Sequence, residues 1–120
     1  MTACDLLLFG ATRNTGLQVA KLAVERGEHV AAMVRQGSDA SALEALGVTV
    51  IPGDAFNLDD CLHAVQQAKP RRVVSLMGGK NQEGRRICAI GNIHVAEALN
   101  GYEGLERFLL LTSMGCGDQY

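Results

Sequence analysis

Between Phe9 and Leu17 the chain reads Gly-Ala-Thr-Arg-Asn-Thr-Gly, with glycine at positions 10 and 16 and arginine midway at 13. Four apolar residues, Leu6 to Phe9, run straight into Gly10, and an amphipathic segment from Leu17 to about Arg26 follows Gly16. A buried strand, a tight turn and a helix start in that order make an anion site. The first-turn N–H groups of a helix have no internal acceptor, and the macrodipole places partial positive charge there. Gly10 permits the sharp exit from the strand, and Gly16 lets the helix lie close to it. The guest that fits is a dinucleotide pyrophosphate. A lone glycine pattern is weak evidence, and the alternative is a turn with only a structural role. Arg13 stands where a third glycine would bring the backbone nearest to the phosphates.

Further positions fall at the ends of later apolar runs. Arg35 follows the second run, where a carboxylate would hold ribose hydroxyls and repel a 2′-phosphate. A guanidinium there clamps such a phosphate through paired hydrogen bonds, with Arg13 reaching it from the turn, so NADP is favoured over NAD. The alternative for Arg35 is a solvated strand-end charge. Gly53-Asp54 follows the third run, beside the expected place of adenine; Asp54 is either an acceptor for the adenine amino group or an ordinary turn aspartate. Gly78-Gly79-Lys80 follows the fourth run, with glycines that allow close backbone approach and a lysine that is alternatively just solvated. Thr112-Ser113 follows the fifth, where a hydroxyl suits a substrate carbonyl or the nicotinamide amide, making Ser113 a site-lining residue and the one catalytic candidate. Asn92 and His94 lie mid-helix, where packing or surface roles are expected. His29 and His63 are isolated, so no metal constellation is visible. Cys116 has no evident base beside it and is not expected to be a nucleophile.

The elements that must position these groups alternate regularly. Leu6 to Phe9 is the first strand and His29 to Val34 the second, reached through Gly27 as a helix stop. A short helix from Asp39 to Leu46 ends at Gly47, and Val48 to Ile51 is the third strand, closed by Pro52-Gly53. Asn57 reads as an N-cap with Asp59 and Asp60 in the first turn. Leu58, Cys61, Leu62 and Val65 then mark one buried helical stripe. Arg72 to Met77 is the fourth strand. A long helix covers Glu83 to about Asn100, with Ile87, Ile90, His94 or Val95, and Ala98 or Leu99 facing inward. Arg107 to Thr112 is the fifth strand. The strand cores LLLF, VAAMV, VTVI, VVSLM and FLLL are mostly continuous rather than alternating, the pattern of strands covered on both faces. The expected fold is therefore α/β, a doubly wound parallel sheet of order 3-2-1-4-5. Its ligand crevice lies at the carboxyl ends of strands one and four.

Bulk composition narrows the classes. With 120 residues, 48% of them hydrophobic and 20% charged, the chain is ordinary globular material for one domain. A formal net charge of −2, with scattered basic residues, argues against a nucleic-acid partner. No apolar run approaches the ~18 residues of a membrane span, and no signal-peptide pattern opens the chain. Cys4, Cys61, Cys88 and Cys116 form no CxxC pair and read as reduced structural thiols, which fits a cytoplasmic protein.

Phe9-Gly-Ala-Thr-Arg-Asn-Thr-Gly16, Val34-Arg35, Gly53-Asp54 and Arg107-Phe-Leu-Leu-Leu-Thr-Ser-Met-Gly115 together resemble the short-chain dehydrogenase/reductase superfamily. Within it, the chain is most similar to the atypical branch of NAD(P)-binding proteins, those like biliverdin reductase B/flavin reductase and NmrA-like proteins. The resemblance implies that Gly10, Thr12, Arg13, Asn14, Thr15 and Gly16 surround the pyrophosphate and that Arg35 meets the 2′-phosphate. It implies Asp54 and Ala55 at the adenine, Met77, Gly78 and Lys80 at the inner ribose and nicotinamide, and Ser113 on the active-site floor. Arg13 departs from the atypical Gly-x-x-Gly-x-x-Gly turn. No Tyr-x-x-x-Lys pair occurs within these 120 residues, and the expectation is a Rossmann domain over residues 1–120 cut after strand five, either a fragment or a natural truncation. In the intact protein the resemblance implies hydride transfer from the reduced nicotinamide of NADPH to a small or planar acceptor above Gly78 and Ser113, with the proton drawn from solvent or substrate. The rival readings are a redox-sensing or regulatory module that binds NAD(P) without turnover, and an assembly-factor-like scaffold.

Overall fold

A computed structural model of the chain describes residues 4–10, 14–35, 37, 40–76 and 90–110. Five strands form one parallel sheet: β1 (Cys4–Phe9), β2 (Val30–Val34), β3 (Thr49–Pro52), β4 (Pro70–Ser75) and β5 (Arg107–Leu110). Their order is β3-β2-β1-β4-β5, as the alternation of the sequence requires. The described helices are α1 (Asn14–Glu25), α2 (Ser41–Ala45), α3 (Leu58–Ala68) and α4 (Asn92–Leu99).

Successive residues of the central strands feed two different cores, because side chains alternate across a strand. Leu7, Phe9, Ala31, Met33, Ile51 and Val73 pack with α3 and α4 on one face. Leu6, Leu8, Val30, Ala32 and Val34 pack with α1 and α2 on the other. Leu7, Leu8 and Phe9 are completely buried, which is why their run is unbroken by polar residues.

Helix ends follow local chemistry. Both α1 and α2 stop on a left-handed glycine, Gly27 at φ +83° and Gly47 at φ +88°. At each, the next residue's N–H reaches back five positions, Glu28 to Ala23 and Val48 to Leu43, satisfying carbonyls the helix leaves open. Asn57 caps α3, its side chain accepting from the Asp59 N–H at 2.9 Å. Lys69 ends α3 with φ 46°, a left-handed conformation for which an L side chain carries a steric cost.

Several boundaries differ from the sequence reading. The strand expected over Arg72 to Met77 runs from Pro70 to Ser75, since Pro70 pairs with Cys4 at the start of β1 and a first strand residue needs no N–H. The buried face of α3 is Cys61, Ala64, Val65 and Ala68, with Leu62 partly covered. Alanines allow α3 to sit close to the sheet and to α4, a preference that a search for large apolar residues overlooks. On α4 it is Val95, with both Ala98 and Leu99, that turns inward, and Asn92 joins them. The 83–89 part of the expected helix lies outside the described residues. No described helix is long and apolar enough to cross a membrane.

Candidate functional site

The register places a row of residues across the sheet just inside its carboxyl edge: Ile51, Met33, Phe9, Ser75 and Leu110, each paired with the next. One step further along the edge come Gly10 and Leu76, and two steps along come Arg35 and Gly53. The chain leaves β1 toward β2 on one side, while β4 lies on the other, so the strand order reverses beside Gly10. Crossovers diverge at such a point and leave a crevice.

Gly10 has φ +83°, a backbone state that any L side chain resists. The sequence argument for glycine at this exit is thus a requirement of the local geometry. Residues 11–13 lie outside the described set, and α1 opens at Asn14 with Thr15 and a buried Gly16 behind it. The helix is 12 residues long and carries no acidic residue in its first turn, where its open amides favour an anion. On the other side of Gly10, the Leu76 N–H donates to the Phe9 carbonyl at 2.8 Å, holding the ends of β1 and β4 together.

Arg35 is exposed immediately after β2 and forms no ion pair among the described residues. Its guanidinium is available to an incoming anion at the edge where α1 begins.

The β3–α3 loop is more tightly specified. Gly53 N–H donates to the Val34 carbonyl at 3.0 Å, carrying the β2–β3 pairing one residue past the strand. A Cβ on Gly53 would stand 2.9 Å from Met33 Sδ and 3.3 Å from Asp60 Cβ, so this glycine is there to let β2 and α3 close up. Asp54 donates its N–H to Asp60 Oδ2 at 2.9 Å, and its own Oδ1 accepts from Phe56 N–H at 2.9 Å. The aspartate therefore shapes the turn itself. Its Oδ2 and the N–H of the buried Ala55 have no partner among the described residues.

Two α4 residues reach this edge that the sequence assigned only to packing or surface. Ser75, completely buried at the end of β4, donates its hydroxyl to Asn92 Oδ1. His94 Nδ1 lies 2.7 Å from the Ala55 carbonyl. A polar residue in the first turn of a helix gives no sign of which loop it will meet, so sequence spacing had no means to find either contact. Thr12, Arg13, Met77, Gly78, Lys80 and Ser113 fall outside the described residues. The two described cysteines are buried free thiols, and burial pushes both Cys4 and Cys61 up to about 11. Neither is a thiolate near neutral pH.

Known structures and families agree with this geometry. A solved structure of an anaerobillin reductase from Escherichia coli O157:H7 is 30% identical, over 95% of this chain and 53% of its own, with a TM-score of 0.74. The leucoanthocyanidin reductase–NADPH complex from Vitis vinifera is 20% identical over 87% of this chain and 34% of its own, TM-score 0.71. The UDP-glucose 4-epimerase of Thermus thermophilus, complexed with NAD, is 17% identical over 87% of this chain and 36% of its own, TM-score 0.75. The last two show a shared fold. The chain spans about half the length of the first of these proteins and about a third of the others. No curated protein sequence matches it. The NAD(P)H-binding family model matches residues 10–120. That match begins at Gly10, the residue on which the turn at the sheet's reversal point depends, and the chain belongs to the NAD(P)H-binding family.

Proposed function

We propose that this chain binds NADP in preference to NAD and forms the coenzyme domain of an atypical short-chain dehydrogenase/reductase. The observation that carries the preference is Arg35, a cation with no described carboxylate partner, at the end of β2 beside the reversal point. A dinucleotide fits the groups present. The pyrophosphate lies against the α1 amides with Gly10 and Gly16 keeping side chains out of the way, and Thr12, Arg13, Asn14 and Thr15 complete the turn. Arg35 takes the 2′-phosphate through charge-assisted bonds. Ala55 N–H and Asp54 Oδ2 address the adenine. Met77, Gly78 and Lys80 border the nicotinamide half, and Ser113 lines the acceptor side.

The nicotinamide supplies the hydride when bound, and the protein supplies position and field. The acceptor we propose is a small or planar, easily reduced molecule. The reductases among the similar structures support this reading over a non-catalytic sensor. We place the protein in the cytoplasm, in keeping with the free thiols of Cys4 and Cys61.

The test is a calorimetric titration of the Arg35→Asp variant with both coenzymes. NADP affinity should fall by about 1.5–3 kcal/mol, roughly 10- to 150-fold, while NAD affinity changes little. Equal losses would contradict the role of Arg35. Oxidation of NADPH against a panel of flavin and quinone acceptors separates a reductase from a module that binds without turnover.

A further inference from the structure

We propose that His94 is a positioning residue for adenine recognition, an inference that rests on the coenzyme reading above and extends it to a residue outside the binding loops. His94 is half-buried on α4, and its Nδ1 meets the Ala55 carbonyl at 2.7 Å across 39 positions of sequence. A carbonyl only accepts, so Nδ1 carries the proton in this contact. Ala55 is the residue whose N–H, together with Asp54 Oδ2, has no partner among the described residues.

Several hydrogen bonds of this loop are local: Asp54 to Asp60, Phe56 to Asp54, Asn57 to Asp54 and a weak Cys61 thiol contact to the Ala55 carbonyl all span six residues or fewer. They curl the loop on itself. The Gly53–Val34 bond ties its start to β2, and His94 ties Ala55 to α4. Its helix is in turn anchored to β4 by the buried Ser75–Asn92 hydrogen bond. The end of β4 and the end of β3 lie on opposite sides of β1, and α4 ties them together through two residues of one helical turn. The consequence is a base-reading donor and acceptor held at a set depth relative to the crevice.

A side chain there only to fill space predicts something different from one that sets the base-reading edge. The discriminating measurement is base preference, read as the affinity ratio between NADP and its hypoxanthine analogue, in which a carbonyl replaces the adenine amino group. Wild type should prefer NADP. His94→Leu, which keeps the volume and removes the donor, should compress that ratio about five- to tenfold. His94→Asn, whose amide nitrogen can stand where Nδ1 stands, should restore most of it. Amide exchange across residues 53–57 of the ligand-free protein should quicken in His94→Leu and recover in His94→Asn. An unchanged ratio in a folded His94→Leu protein overturns the proposal, as does a wild type that binds dinucleotides with no base preference; both leave the coenzyme reading standing. A wild type that binds neither coenzyme overturns both.

Discussion

Among the described residues, charged side chains pair with one another at the amino edge of the sheet, whereas at the carboxyl edge Arg35 forms no ion pair. Arg71, at the start of β4, reaches Glu106 with Nε at 2.7 Å and Asp5 with Nη1 at 3.3 Å. Arg72 pairs with Glu28, His29 N–H donates to Asp5, and the Tyr102 hydroxyl donates to the Pro70 carbonyl at 2.6 Å. Strands and connections are thereby cross-linked by groups that satisfy each other. At the opposite edge, Arg35, the Ala55 N–H and Asp54 Oδ2 have no partners among the described residues. The same parallel sheet thus has a closed end and an open end. A doubly wound fold separates stability from binding in this way, because every crossover opens its crevice at the same edge.

The sharpest way to break that comparison is a substitution at the open end that lowers stability as much as it lowers binding. Arg35→Asp is expected to cost NADP affinity as given above while shifting unfolding free energy by less than about 0.5 kcal/mol, since an exposed side chain away from special contacts contributes little. Chemical denaturation beside the titration checks both halves.

Next in size is Asn92→Ala. It leaves the buried Ser75 hydroxyl without this acceptor and should destabilise the fold by about 1–3 kcal/mol. A double-mutant cycle with Ser75→Ala should show the two losses to be strongly non-additive; simple additivity would mean that the pair is not coupled.

Lys69→Gly belongs to the closed end and should have the opposite sign. Releasing a left-handed lysine at the α3 terminus should stabilise by up to about 1 kcal/mol, with the entropic freedom of glycine in the unfolded chain offsetting part of the gain. A raised thermal midpoint with unaltered NADP binding is the expected result.

The smallest effect sharpens the comparison through pH. The hydrogen bond from His29 N–H, followed by the Arg71 contact, holds the Asp5 carboxyl below its usual range. Arg71 does the same for Glu106. Carboxyls depressed in the folded state stabilise it above their unfolded pKa values, and that contribution fades as pH falls through the lower folded values. Arg71→Gln should therefore differ from wild type at neutral pH and converge with it once acid has protonated both carboxyls. Added salt should shrink the neutral-pH gap because the pairs are exposed. A gap that is the same in acid and at neutrality would assign the residue a packing role instead.

Much of this architecture was legible along the chain. Continuous apolar runs such as Leu6–Phe9 report burial on both faces, and their alternation with helical segments leaves few topologies open. Gly10, Gly27 and Gly47 each read as a turn or stop, and each has the left-handed φ that makes glycine the natural choice. Asn57 reads as a cap because the acceptor it supplies and the amide it satisfies are neighbours in sequence. What these features share is locality: the partner is within a few residues, so type and spacing are sufficient.

Only the folded chain decided which long-range pairs form. Asp5, Arg71 and Glu106 come from opposite ends and the middle of the described sequence, and nothing in their spacing announces a single cluster. Gly53 resembles any turn glycine until Met33 is brought against it from another strand. His94 and Asn92 read as helix surface or filler, and become links to Ala55 and Ser75 once α4 is laid across the sheet. The physical reason is that hydrophobic patterning specifies which face of an element is buried, while the identity of its polar contacts depends on register, helix depth and crossing. Those are set when the whole core closes.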